Sequence, residues 1–261
     1  MVKFSAANVK IQALKLVAAI AAFLVKRKVY SFDLLSGFSC PFAEECLSKV
    51  KVNKETGKRQ IHDGPKTKFR CFSASQEVVY TNTYNRRKEN FDSLKGYNAA
   101  QMFTLISDAL PKNLGVCRIH VAGDFFSQDY FDAWLAIAIA CPDRLFYAYT
   151  KSLTYWLKRR DQIPANFVLT ASYGGRLDSK IESEGLRSAK VVFSEQEASD
   201  LGLEIDHDDS HAADPSTKDK DFALLIHGVQ PKGSDASTAI KALKKDGVQF
   251  SYSREKKVVN A

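Results

Sequence analysis

The chain has 261 residues, of which 45% are hydrophobic and 26% are charged, and its formal net charge is +8. This composition supports a sizeable hydrophobic core and excludes a wholly disordered chain. The five cysteines are odd in number and irregularly spaced, which is unlike the disulfide framework of small secreted domains. We therefore expect a protein of a reducing compartment, the cytoplasm.

The N-terminal region contains an apolar run over residues 13–25, interrupted only by Lys15. Thirteen residues are too few to cross a bilayer, which takes about 20. The basic residues 26–28 follow the run, where a signal peptide would carry small residues. We predict an N-terminal helical extension over residues 1–28 and no transmembrane segment. A membrane-surface anchor is the alternative.

Six short apolar, β-branched or aromatic runs predict β-strands. They are nearly continuous rather than alternating, which is typical of strands buried on both faces of a parallel sheet. The runs are Val29–Leu34, Val116–Val121, Leu145–Thr150, Phe167–Ala171, Lys190–Phe193 and Phe222–His227.

Helical segments separate these runs, and the alternation predicts right-handed βα units around a parallel sheet. Six strands are too few for a closed eight-stranded barrel. We therefore predict a single α/β domain over residues 1–261, built as a six-stranded, mainly parallel partial (β/α) barrel. A flat doubly wound sheet is the alternative. The predicted helices are Asp92–Leu110, Gln128–Ala140, Ser152–Arg160, a helix capped by Ser194 and Glu197, and Ser234–Lys245.

A basic segment over residues 47–70 reads as an inserted β-hairpin, with strands over 49–62 and a turn at residues 55–57. Between Cys46 and Cys71 lie eight lysines and arginines against two acidic residues, and eight minus two leaves six positive charges. Such a patch indicates an anionic partner, either nucleic acid or a phosphorylated ligand. The alternative is a lysine-rich loop that only maintains solubility.

Three cysteines follow strand ends or loops in a way that suits metal ligation. Cys40 and Cys46 come directly after the first strand, and Cys71 follows the basic hairpin. Thiolates are soft ligands for iron–sulfur clusters or zinc. We expect these three to hold a 4Fe-4S cluster that leaves one iron open to a small ligand.

Two alternatives remain for these thiols. Structural zinc normally takes four ligands, and His62 in the hairpin is the nearby candidate for the fourth. Three unrelated buried cysteines are the other alternative, since a free cysteine packs as a small hydrophobe. We expect Cys117 and Cys141 to be packing residues of this kind.

Polar residues follow every predicted strand, as a polar-ligand pocket at the carboxyl edge of a parallel sheet requires. Gly123 permits a close turn past a ligand, and Asp124 after it offers an acceptor, although a plain turn or helix cap is equally compatible. An acidic loop over residues 206–211 suits a divalent cation, acid–base chemistry or simple solvation. The expected cofactor-binding residues are Gly123, Asp124, Ser172 and Glu195, and the expected catalytic residues are Asp124, His120 and His207.

Several strings of this chain resemble the gene product 88 family of bacteriophages. The resemblance covers most of the chain after Val29 and implies a phage-type protein that works in the host cell cytoplasm. The matching strings are Ser39–Pro41 with Cys46, Arg70–Ala74, Arg118–Ser127, Phe146–Lys151, Ile205–Ala212 and Leu225–Gly228.

More distantly, the layout resembles that of radical-SAM enzymes. Those have a six-stranded partial barrel, a three-cysteine loop after the first strand and a glycine–acid motif that ends the second. The resemblance implies S-adenosylmethionine as a cofactor, with Gly123 and Asp124 in the place of the segment that holds its methionine amine. The cysteine spacing departs from the Cys-x3-Cys-x2-Cys pattern, since five and twenty-four residues separate the three cysteines here. The rival hypothesis is a non-enzymatic, metal-stapled nucleic-acid-binding protein.

Overall fold

Strands and helices alternate through residues 1–248, which are the residues that the computed structural model describes. The strands are β1 Ser5–Ala6, β2 Lys28–Phe32, β3 Ser48–Val52, β4 Arg59–Asp63, β5 Leu114–Ile119, β6 Leu145–Thr150, β7 Phe167–Ser172, β8 Ser188–Val192, β9 Glu204–Ile205 and β10 Phe222–Leu225. The helices are α1 Val9–Gln12, α2 Ala18–Ala21, α3 Phe72–Val79, α4 Thr81–Leu94, α5 Ala99–Asp108, α6 Gln128–Ala140, α7 Leu153–Leu157, α8 Ser179–Ser183, α9 Glu195–Asp200, α10 Ser210–Ala213 and α11 Asp235–Lys245.

A mixed sheet forms the centre of the fold, and its strand order is β1-β2-β5-β6-β7-β8-β10-β9. All neighbouring pairs are parallel except β1 with β2. The six predicted strands therefore lie side by side in chain order, and the prediction of a mainly parallel α/β sheet is confirmed. The sheet has eight strands rather than six, because β1 and β9 are two-residue edge strands too short to produce a recognisable apolar run.

Both faces of the sheet are covered, which explains why its strands are continuously apolar. On one face, Trp134 and Phe131 of α6 pack in a buried cluster with Phe146 of β6 and Phe167 of β7. On the other face, the N-terminal segment contributes buried side chains to a second cluster, which also contains residues from all six central strands. Its members include Ile11, Leu14, Ile20, Val29, Val116, Tyr147, Val168, Ala189, Ala213 and Phe222.

The single N-terminal helix expected from the sequence is replaced by short helical pieces. Between α1 and α2 lies a 3-10 turn over Ala13–Leu16, and another follows over Ala22–Leu24. Val17 interrupts the run because its backbone is extended, with φ −84° and ψ 114°. This break lets Leu14 and Ile20 both reach the sheet and become fully buried.

The predicted helix over Asp92–Leu110 covers only the end of α4, most of which was not predicted, and the whole of α5. Gly96 separates them with φ +92°, a left-handed conformation that a glycine adopts without strain. Asn98 then caps α5, since its side chain accepts from the Gln101 N–H while the Gln101 side chain accepts from the Asn98 N–H. Both signals are local, a glycine and an asparagine three residues before a glutamine, and are visible in the sequence.

Other helix predictions agree more closely with the structure. Helix α6 has the predicted bounds, and Ser194 caps α9 by accepting from the Glu197 N–H. Helix α11 ends two residues before Gly247, whose φ is +81°. No helix within residues 1–248 is long and apolar enough to span a membrane.

The predicted hairpin is present as the antiparallel pair β3 and β4. Val50 lies opposite Ile61, and these residues belong to a small core that also contains Ala74 of α3. Lys51 lies opposite Gln60, and both are exposed. The hairpin therefore packs one face against α3 and presents the other to solvent.

Candidate metal centre at the carboxyl edge of the sheet

The cysteine region has two limbs: the first follows β2 and carries Cys40 and Cys46, and the second carries Cys71 and continues into α3. The first limb crosses the end of β5. Leu34 donates its N–H to the Ala122 carbonyl over 2.8 Å. Gly123 has φ +96°, and a Cβ on it would lie 2.6 Å from Ser39 Oγ and 2.8 Å from Leu34 Cβ. The glycine is therefore required both for its backbone conformation and for the approach of the segment that leads into Cys40.

Cys46 and Cys71 influence Cys40 electrostatically, although Cys71 comes from a segment far from Cys40 in the chain. Burial raises the pKa of Cys40, and Asp124, Cys71 and Cys46 raise it further. Burial and then Cys46 raise the pKa of Cys71 to about 11. All three cysteines are free thiols. The charges of Cys46, Cys71 and Asp124 therefore all act on Cys40.

A buried ion pair anchors both limbs of the cysteine region. Glu77 of α3 accepts from the N–H and the hydroxyl of Ser36, over 3.1 and 2.7 Å. Arg87 of α4 donates to Glu77 and to the Ser73 carbonyl, over 3.2 and 3.1 Å. Ser36 precedes Cys40 and Ser73 follows Cys71. The Glu77–Arg87 ion pair therefore positions the limbs that carry these two cysteines. Nothing in the sequence marked Glu77 or Arg87, because ten residues separate them in segments rich in polar side chains.

The cysteine region also bridges distant loops at the carboxyl edge. Glu44 and Glu45 donate their N–H groups to the Gly174 carbonyl, after β7. The same region reaches the loops after β5 and β10 through two hydroxyl groups of α3. Ser73 Oγ donates to the Val121 carbonyl and Ser75 Oγ donates to the Val229 carbonyl, each over 3.1 Å.

Asp124 is buried and accepts several hydrogen bonds. Its Oδ1 accepts from the Phe125 N–H and the Thr150 hydroxyl, and its Oδ2 accepts from the Lys151 N–H. Burial raises the pKa of Asp124 from its usual 3.8 to about 6, although these hydrogen bonds oppose the shift. Asp124 is therefore a carboxyl group that titrates near neutral pH beside Cys40.

His120 lies in the hydrophobic core rather than at the open edge. Its Nε2 lies 2.9 Å from the Tyr130 hydroxyl, and its ring packs against Phe125. Burial, with the nearby Arg118 charge, lowers the pKa of His120 to about 3. The imidazole is therefore neutral at physiological pH.

The other predicted site residues are dispersed. Ser172 ends β7 and accepts from Lys151 Nζ over 2.6 Å. Glu195 is exposed at the start of α9, and His207 is exposed in the acidic loop. Lys151 was not predicted, although it directly follows β6 and lies beside Asp124.

The acidic loop forms an internal polar network. Tyr149 donates to Asp206 over 3.2 Å, and Asp209 accepts from Tyr147 and pairs with Arg118. Asp206 and then Glu204 raise the pKa of His211 to about 9. The His211 Nδ1 to Asp206 Oδ1 separation is 3.6 Å, too long for a hydrogen bond, so we attribute the Asp206 effect to charge proximity. The acidic side chains are largely occupied in attaching the loop to the sheet.

Within residues 1–248, no three histidine, cysteine, aspartate or glutamate side chains are positioned to hold a metal ion. His62, the expected fourth zinc ligand, is exposed on the hairpin opposite Lys49. Cys117 is fully buried in β5, and Cys141 follows the end of α6.

The basic hairpin segment, residues 47–70, carries cations that pair with carboxylates and cations that do not. Some are neutralised by carboxylates: Lys66 by Glu44, Lys68 by Glu45, and Arg70 by Asp63. The exposed lysines near the turn form no ion pair with the described residues, and they are Lys51, Lys54 and Lys58. The uncompensated charge is therefore concentrated near the turn.

Together, these observations define a mixed α/β protein with a mainly parallel central sheet and a buried carboxyl group, Asp124, at its carboxyl edge. In comparison with known proteins, a model of the family described as "Gene product 88" matches residues 4–245. The chain belongs to that family.

A relative in Mycobacterium phage L5, named "Gene 88 protein", is 28% identical over 127 residues. The matched part is 45% of this chain and 45% of the relative, so it spans less than half the length of the phage protein. No solved structure matches the chain.

Proposed function

We propose that this protein is an iron–sulfur protein in which Cys40, Cys46 and Cys71 hold a 4Fe-4S cluster at the mouth of a radical-SAM-like partial barrel. The observation that supports the proposal is electrostatic: Cys46 and Cys71, from two separate segments, and Asp124 all raise the pKa of Cys40, and the three cysteines are free thiols. Cys46 raises the pKa of both Cys40 and Cys71, and Cys71 raises that of Cys40, because neighbouring thiolates would repel. Cation binding would relieve that repulsion and release protons.

The number of cysteine ligands favours a cluster over zinc. Tetrahedral zinc needs four ligands within about 2.3 Å of one point. His62, the candidate for the fourth zinc ligand, is exposed on the basic hairpin opposite Lys49. A four-iron cluster distributes three thiolates over three irons, so its ligands stand farther apart and one iron stays free for a small ligand.

Two features support a curved, barrel-like sheet. The parallel strands follow one another in chain order from β2 to β10, as in a partial (β/α) barrel. Ser73 and Ser75, two residues apart, bind carbonyls in the loops after β5 and β10. Those strands are four positions apart, which is about 19 Å in a flat sheet at about 4.8 Å per strand. A curved sheet would bring the ends of β5 and β10 closer together, within reach of two residues on one helix.

S-adenosylmethionine is the cofactor that this arrangement would take, and when bound it would supply radical chemistry. Asp124 is electrostatically coupled to Cys40, and its Oδ2 accepts one hydrogen bond from the chain, which leaves an acceptor site for an amine. Gly123 lets this segment approach the cysteine loop. We assign Ser172 and Glu195 to the wider pocket. His207 is the exposed candidate for proton transfer, whereas the neutral His120 is packed in the hydrophobic core.

Anaerobic purification with iron and sulfide analysis tests the proposal. The full chain should be brown and carry about four irons, and each of Cys40→Ala, Cys46→Ala and Cys71→Ala should lose the cluster. Cys117→Ala is the matched control and should keep the colour. Stoichiometric zinc that is released by His62→Ala would overturn the cluster and support the zinc alternative. The reduced protein should also cleave S-adenosylmethionine, and a cluster without cleavage would remove the radical-SAM part.

A nucleic-acid-binding function is the second candidate, and the unpaired lysines near the hairpin turn favour it. Arg59 donates to the Val78 carbonyl and the Thr81 hydroxyl, which places the hairpin beside the junction of α3 and α4. Tyr80 at that junction is 60% exposed. Cations next to an exposed aromatic ring suit a single strand, whose phosphates bind lysines and whose bases stack.

A further inference from the structure

Lys151 is a buried lysine at the carboxyl edge of the sheet. It directly follows β6, and its relative exposure is 9%. Its Nζ donates to Ser172 Oγ, over 2.6 Å, at the end of the neighbouring strand β7. Parallel strands thus bring an ammonium group and a hydroxyl group together at the same edge.

The Lys151 ammonium group forms no ion pair with the described residues, although its charge acts on Asp124 and lowers the pKa of that carboxyl group. No carboxylate of residues 1–248 lies within 4.0 Å of Nζ, and Ser172 takes only one of its three N–H donors. Lysines are almost never buried without a partner, because an ammonium group loses its hydration on burial. Asp124 compensates the charge only from outside ion-pair distance, so an anion supplied from outside the chain would complete the compensation and accept from the remaining donors.

The surroundings define the chemistry of that anion. Because Ser172 Oγ accepts from Lys151, its own O–H is available to donate to the same ligand. The two donors are 2.6 Å apart, which suits two oxygens of one oxyanion. Asp124 accepts from the Lys151 backbone N–H, so a negative charge already lies close by. A singly charged carboxylate would be repelled less by Asp124 than a phosphate dianion.

The position of Lys151 relates it to the cysteine region. A Cβ on Gly175 would lie 3.2 Å from Lys151 Cβ, and Gly175 forms a bridge with Ala43 of the cysteine loop. Asp124 contacts Lys151 on one side and influences Cys40 on the other. A ligand held at Lys151 would therefore lie close to the loop around Ala43, between Cys40 and Cys46.

We propose that Lys151 and Ser172 form a binding site for the carboxylate group of a small-molecule ligand. This site goes beyond the proposed function, because it is built from the chain alone and requires no bound cluster. It can therefore be tested with the metal-free full-length protein.

Acetate is the probe, and backbone amide spectra of isotope-labelled protein are the measurement. Acetate should shift the Lys151 and Ser172 signals saturably at constant ionic strength. Lys151→Met, which keeps the length and removes the charge, should weaken acetate binding by at least about tenfold. Lys158→Met is the matched control, since Lys158 is exposed seven residues away, and acetate binding should not change.

Ser172→Ala gives an independent test if Lys151→Met does not fold. It keeps the ammonium group and removes one donor, so acetate binding should weaken several-fold. The proposal is overturned if acetate produces no saturable shift at Lys151 and Ser172, or if both variants bind acetate as wild type does. Inorganic phosphate is the second probe, and tighter binding of phosphate than of acetate would overturn the assignment to a carboxylate.

Discussion

Arg87 Nη1 lies 3.2 Å from Glu77 Oε1 in a site where both side chains are almost completely buried. Burial raises the pKa of Glu77, and the Arg87 charge opposes that shift. Each partner holds a different limb of the cysteine region, since Glu77 accepts from Ser36 and Arg87 donates to the Ser73 carbonyl. The ion pair therefore couples the position of Cys40 to that of Cys71.

Arg87→Ala should destabilise the protein by about 3–5 kcal/mol, because it leaves the Glu77 carboxylate buried without its partner. Urea unfolding provides the measurement. The double variant Glu77→Gln with Arg87→Met should lose less unfolding free energy than its two single variants lose in sum. In the double variant no buried charge remains without a partner. Reactivity toward a thiol reagent should rise at Cys40 and Cys71 in Arg87→Ala.

Lys88→Ala provides the control for that experiment. Lys88 is next to Arg87 on α4 and pairs with Asp92, but this pair is exposed. Its loss should cost at most about 0.5 kcal/mol and leave thiol reactivity unchanged. Equal losses in Arg87→Ala and Lys88→Ala would show that the buried pair has no special role.

Gly123→Ala should destabilise the protein more than Gly96→Ala. Both glycines have left-handed backbones, with φ +96° and φ +92°, so an alanine is strained by about 1 kcal/mol or more at either position. A Cβ at Gly96 meets no atom within 4 Å, whereas at Gly123 it meets Ser39 Oγ at 2.6 Å. The clash should add about 1–3 kcal/mol at Gly123. Thermal unfolding of the two variants measures the difference, and equal shifts would contradict the close packing of the cysteine loop.

Asp124 should make stability depend on pH between about 4 and 6. Its folded pKa of about 6 lies above the usual 3.8, so the native state holds the proton more tightly than the unfolded state. Protonated Asp124 therefore contributes about 3 kcal/mol to the free energy of unfolding. This contribution is fully present below pH 3.8 and is lost as pH rises through 6. The difference in unfolding free energy between wild type and Asp124→Asn should fall by this order across the interval. A difference that does not vary with pH would contradict the raised pKa.

Local sequence signals predicted the parts of the fold that depend on local patterning. The bounds of β6 and α6 were correct, because β6 is a continuous apolar run and α6 lies between Ser127 and Pro142. The pieces around Val17 were missed, because packing against the sheet outweighs helical periodicity there. Lys151 and Arg87 were missed for a related reason. Lysine and arginine are usually exposed, and only the tertiary structure shows that these two are buried.

Neutralising the unpaired hairpin lysines should weaken binding to a single-stranded oligonucleotide more than neutralising the paired ones. Lys51→Gln with Lys58→Gln removes two exposed charges without ion-pair partners among the described residues, so each lost phosphate contact should reduce the salt slope by about 0.7. Lys66→Gln with Lys68→Gln is the matched control, because Glu44 and Glu45 already neutralise those two. Filter binding over a salt series measures both slopes. Equal slopes in the two double variants would argue against a site near the turn, and no binding by wild type at low salt would exclude this second function.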